Sequence, residues 1–137
     1  LSVVTVVYYA PGTGQISSVM TVQEEMIEAN CPDGLSWFIP TGWPRPDENY
    51  IIVGIDGPEV FTRPDMPITH SALTMTTAED LLIESIPIGA QFRHPDGTET
   101  IDDGSVSWGS DVPGEFYLFI DRFPYKSVRL HVKVNPV

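Results

Sequence analysis

Cysteine is almost missing from this sequence. Cys31 stands alone among 137 residues, which excludes an internal disulfide and any thiolate metal cluster built within one chain. Bases are scarce as well: seven Lys and Arg face nineteen Asp and Glu, for a formal net charge of −12. That balance argues against a surface made to neutralise phosphates or to lie on an anionic membrane, so neither nucleic acid nor membrane is an expected partner. Long hydrophobic runs are lacking too. The apolar stretch from Val3 to Ala10 is short, has no basic leader and alternates as a strand does, so it reads as neither membrane anchor nor signal peptide, and a soluble chain made in the cytoplasm is expected. The three histidines, His70, His94 and His131, show neither H-x-E nor H-E-x-x-H spacing. No metal site and no cofactor are therefore expected.

What is abundant is turn chemistry. Thirteen prolines and eleven glycines suit short strands joined by turns, in one domain or two very small ones. The last residues carry the clearest signal: Phe116, Leu118 and Ile120 alternate in one run. In the next, Val128, Leu130, Val132 and Val134 alternate with Arg129, His131 and Lys133. A period of two marks half-buried strands, and the pair reads as the end of a β-sandwich.

Val3 to Tyr9 and Ile16 to Met20 flank Pro11-Gly12-Thr13-Gly14 as an opening hairpin. Thr21 and Glu24 form a capping-box pattern ahead of Val22, Met26 and Ala29, which predicts one short helix over 22–29. Leu35 to Ile39 reads as a short strand, and Tyr50 to Ile55 with Glu59 to Thr62 reads as a second hairpin about Asp56-Gly57. Arg63-Pro64-Asp65-Met66-Pro67 reads as a connector. The expected fold is thus mainly β: a small α+β part over 1–63, with hairpins and one short helix, then an immunoglobulin-like β-sandwich over 64–137.

A catalytic constellation is not evident, and no enzyme is expected. Gly104-Ser105-Val106-Ser107-Trp108-Gly109 fails the G-x-S-x-G spacing of a nucleophile elbow. Cys31 would need a histidine beside it to become reactive, and a quiet packed thiol is favoured. Asp96, Glu99, Asp102 and Asp103 cluster in sequence without the alternation of a calcium loop, and they read as solvated turn acids; acid–base work on a polysaccharide by Asp96, Asp102 or Asp103 is the remaining enzymatic alternative. Residues 64–121 hold eleven acids against Arg93 alone, whereas Arg122, Lys126, Arg129 and Lys133 crowd the end. This reads as a basic strand beside acidic ones. Trp108 reads as core. Trp43, in a proline-bounded loop, is the candidate anchor for a partner surface or, with Tyr50, a platform for a sugar ring. The apolar first strand, with Val4, Val6 and Tyr8, is the candidate docking edge.

Laid out in this order, the chain resembles small virion structural proteins of tailed bacteriophages, those associated with tail tip and fibre. The features that carry the likeness are Tyr8-Tyr9-Ala10-Pro11-Gly12-Thr13-Gly14-Gln15-Ile16, the hairpin from Tyr50 to Pro64, and Pro113-Gly114-Glu115-Phe116-Tyr117 with Phe123-Pro124-Tyr125. All are structural motifs, so the resemblance implies no catalytic residues. It implies a noncatalytic part of the virion, on the tail rather than the head, docked onto other virion proteins in multiple symmetric copies and made in the host cytoplasm. A capsid decoration protein, or a carbohydrate-binding module that holds a host glycan, is the alternative.

Overall fold

The computed structural model describes residues 2–137. The chain is mainly β, and it divides into two compact units, Leu1–Pro64 and Asp65–Val137.

In the first unit, β1 (Val3–Tyr9) and β2 (Ile16–Gln23) form an antiparallel hairpin, and β3 (Ser36–Phe38) pairs with β1 along Val7–Tyr9. The strand order is β2-β1-β3. Because side chains alternate across a strand, this sheet feeds two small cores. Val6, Tyr8 and Ile27 pack together on one face with Val4, Met20, Val22, Cys31 and Leu35 around them. Val7, Tyr9, Ile16 and Ile51 share the other face with Val19, Phe38 and Val60. Ile51 and Val60 face each other in the hairpin of β4 (Asn49–Gly54) and β5 (Gly57–Thr62), which thereby closes the second core.

The helix predicted over 22–29 does not form. Val22 and Gln23 stay in β2, paired with Val4 and Val3, and the Glu24 amide donates to the Ser2 carbonyl at 2.9 Å. Only a 3-10 turn follows, Glu24–Met26, with no side-chain cap. The reason is cooperative: an eight-residue helix is too short to offset its own nucleation, whereas each residue added to an existing ladder gains a bond at once. Thr21, the presumed cap, lies opposite Thr5 in the sheet.

The second unit has two sheets. One runs β10-β9-β12-β13-β7 and the other β11-β8-β6. Their members are β6 (Thr69–His70), β7 (Thr74–Thr76), β8 (Leu81–Glu84), β9 (Ala90–His94), β10 (Gly97–Ile101), β11 (Val106–Trp108), β12 (Gly114–Asp121) and β13 (Val128–Asn135). All neighbours are antiparallel except β13 and β7. Leu81, Ile83 and Trp108 of the smaller sheet join Phe92, Leu118, Ile120, Leu130, Val132 and Val134 of the larger in one core. Each such side chain contributes about 1.5–3 kcal/mol when fully buried. The alternation expected of the last strand is realised: Leu130, Val132 and Val134 are buried, and Arg129, His131 and Lys133 face solvent.

Close backbone approach constrains one glycine. The Gly14 carbonyl accepts the Ile51 amide at 2.8 Å, and a Cβ on Gly14, whose φ is +85°, would stand 1.9 Å from the Ile51 carbonyl oxygen. The first hairpin loop is therefore pressed directly against β4. Gly109 is less constrained, since a Cβ there would meet the Asp80 side chain at Oδ1, 2.2 Å away, which can swing aside. Gly14→Ala should lower the stability of the first unit by about 3 kcal/mol or more. Gly54→Ala, where nothing lies within 4 Å of the added carbon, should stay within about 0.5 kcal/mol of the parent apart from its backbone entropy. Urea unfolding of both variants checks the contrast.

Candidate functional site

The residues proposed for docking from sequence separate into two groups. Val6 and Tyr8 have no exposed surface, and Val4 is packed against the same core. They are corrected to core residues: β1 is the middle strand of its sheet, so the free edges belong to β2 and β3. Tyr8 donates its hydroxyl to the Ile27 carbonyl at 2.7 Å, a buried bond that ties the 3-10 segment to β1. Burial pushes the Tyr8 phenol above its ordinary value of 10.0, and the nearby Cys31 adds to the rise. Cys31 itself packs in this core, its Sγ 3.4 Å from the Leu35 carbonyl.

Trp43 and Tyr50 fall elsewhere. Trp43 is 56% exposed. Tyr50 lies on the outer face of the β4–β5 hairpin beside Phe61, their ring centroids 6.2 Å apart. Ile52 is on the same face, and Ile55 at the hairpin tip is fully exposed. Trp37 and Ile39, on and just beyond β3, are exposed as well. Residues 38–41 and Pro58, Glu59 and Val60 of β5 line an open hollow of about 430 Å³.

The acids are not gathered. Asp96 lies in the β9–β10 turn while Asp102 and Asp103 follow the far end of β10, a separation of roughly 20 Å at strand rise. Asp103 accepts the Ser105 amide at 3.3 Å, as turn acids do. Among the described residues, no three His, Cys, Asp or Glu side chains are grouped to hold a metal ion.

A second surface went unnoticed in the sequence, on the outer face of the larger sheet. Cross-strand register sets Tyr117 opposite His131 and Phe119 between Arg129 and Arg93. The Tyr117 and His131 rings stack at 4.6 Å with 16° between planes. The Arg129 guanidinium lies 5.1 Å from the Tyr117 centroid, and that of Arg93 lies 4.7 Å from the Phe119 centroid. Arg93 Nε faces Asp121 at 3.5 Å and His131 Nε2 faces Glu115 at 3.5 Å. Only the outward-facing alternation of β12 and β13 could have signalled it, and that requires knowing which strands pair.

No protein-family model, no curated protein and no solved structure matches the chain.

Tyr8 supplies a test of the first unit. Its raised folded value means that its contribution to stability is complete below about pH 10 and is lost as pH climbs through the folded value. Tyr8→Phe leaves the Ile27 carbonyl without its donor and should cost about 1–2 kcal/mol at neutral pH. The same variant should lose part of the alkaline destabilisation seen in the parent, measured by urea unfolding at pH 7 and above pH 10.

Proposed function

We propose that this chain is a noncatalytic structural protein of a tailed-bacteriophage virion, carried on the tail at its tip or fibre attachment. It docks onto neighbouring virion proteins, and its second unit is an immunoglobulin-like sandwich. The observation that carries the docking reading is the β4–β5 hairpin, which holds its inner face in the core through Ile51 and Val60 while presenting Tyr50, Ile52 and Phe61 outward and Ile55 at its tip. Exposed apolar and aromatic side chains grouped on one element mark a surface that gains when a partner covers it. Trp43, in the loop that leads into β4, extends the supply of aromatic anchors.

Strand addition gives a second means of attachment. β3 lies at the edge of its sheet, and in the two-stranded β4–β5 sheet β4 is met by the Gly14 loop while β5 forms the other edge, so backbone groups of β3 and β5 can bond to an added strand. The occupant of this surface is a neighbouring virion protein with a matching apolar patch. A surplus of acids keeps the free chain soluble until it assembles.

Purified particles of the encoding phage should contain the chain, in few copies at a tail site; tens or hundreds would move it to the head. Ile55→Asp should leave the isolated chain folded by circular dichroism and reduce its incorporation about tenfold or more. Particles without the chain contradict the virion reading. Normal incorporation of both Ile55→Asp and Trp43→Ala contradicts the docking surface.

A further inference from the structure

We infer that the outer face of the five-stranded sheet is a binding site for a carboxylate-bearing sugar, held by the Tyr117 and Phe119 rings and the Arg93 and Arg129 guanidinium groups. A hollow of about 420 Å³ opens on this face, lined by Arg93, Pro95, Thr98, Tyr117 and Phe119 among others.

Charge sets this face apart. Three of the seven Lys and Arg in a chain of net charge −12 point outward here, Arg93, Arg129 and Lys133. The two carboxylates of the face are already engaged: Asp121 by Arg93 and by the Ser127 hydroxyl, Glu115 by His131. Arg93 uses only its Nε toward Asp121, and no ion pair is formed by Arg129 or Lys133 among the described residues. The side chains of these pairs are about half exposed, where an ion pair adds at most about 1 kcal/mol to stability. Folding therefore draws little from the arrangement. What it does produce is a set of oriented rings, one of them 47% exposed at Tyr117, with the Arg93 guanidinium set over Phe119.

The ligand class follows from the mixture. The exposed Tyr117 ring, with half-buried Phe119 beside it, suits the C–H face of a sugar. A guanidinium suits a carboxylate, which it can grip with two parallel hydrogen bonds. The Thr98 hydroxyl, in the lining of the hollow, offers a hydrogen-bond partner for a sugar hydroxyl. A polyphosphate is a poorer match, because carboxylates are interleaved with the cations and the chain as a whole repels polyanions. The site lies wholly within the second unit and does not use Trp43 or Tyr50, so its failure would leave the proposed docking surface standing.

The test is calorimetric titration of the full chain with trigalacturonate, sialyllactose and a hyaluronan tetrasaccharide, against lactose and maltotriose as uncharged sugars and inorganic phosphate and single-stranded DNA as other anions. At least one acidic sugar should bind saturably with a dissociation constant below about 1 mM, and the uncharged sugars should bind at least tenfold more weakly. Arg93→Gln and Tyr117→Ala should each weaken binding roughly tenfold or more, with circular dichroism unchanged and the chain still folded at the temperature of titration. Arg45→Gln, which removes one charge from the other unit, should not alter it. No saturable binding to any of the three acidic sugars overturns the inference. So does equal binding of phosphate or DNA, or binding by Arg93→Gln as tight as the parent.

Discussion

The pairing of β12 with β13 is the constraint on which the second unit depends. Seven consecutive residue pairs, from Gly114 with Val134 to Ile120 with Val128, hold one register. Because strand side chains alternate, that register sends Leu118, Ile120, Leu130 and Val132 inward and Tyr117, Phe119, Arg129 and His131 outward. A slip by one residue would exchange the two sets, exposing the core and burying cations without partners. Core stability thus enforces the geometry of the outer face, although that face contributes little to stability itself.

The first unit meets a different constraint. Its three-stranded sheet is too small to bury both faces alone, so each face borrows a cover from later in the chain. The segment through Ile27 and Leu35 covers one, fastened by the Tyr8 hydroxyl. The β4–β5 hairpin covers the other, brought close by the absence of a side chain at Gly14. A hairpin used as a lid has its outer face left over. That is why Ile52, Ile55 and Phe61 are exposed where a larger domain would have buried them.

Strands whose signal is local were legible from residue order. Val3–Tyr9, the hairpin about Asp56-Gly57 and the two closing strands each carry alternation or turn chemistry within a few residues. The short helix was misjudged because its capping box competed with a ladder whose other half, Val3–Thr5, lies far upstream. Val6 and Tyr8 were misplaced for a related reason: apolar alternation shows that a strand has a buried face, but not whether a neighbour runs along each edge. The outer face of the larger sheet was invisible in the same sense. Arg93, Tyr117 and His131 sit on three strands, and only pairing brings them together.

The most direct measurement is solution NMR of the labelled chain, read for contacts between β12 and β13. The account predicts nuclear Overhauser contacts between the Tyr117 and His131 rings, whose centroids are 4.6 Å apart, and on the opposite face contacts of Leu118 with Leu130 and of Ile120 with Phe92. Contacts that pair Tyr117 with Leu130 or Val132 instead would show a shifted register, and neither the core nor the ring-and-cation face described above could then exist.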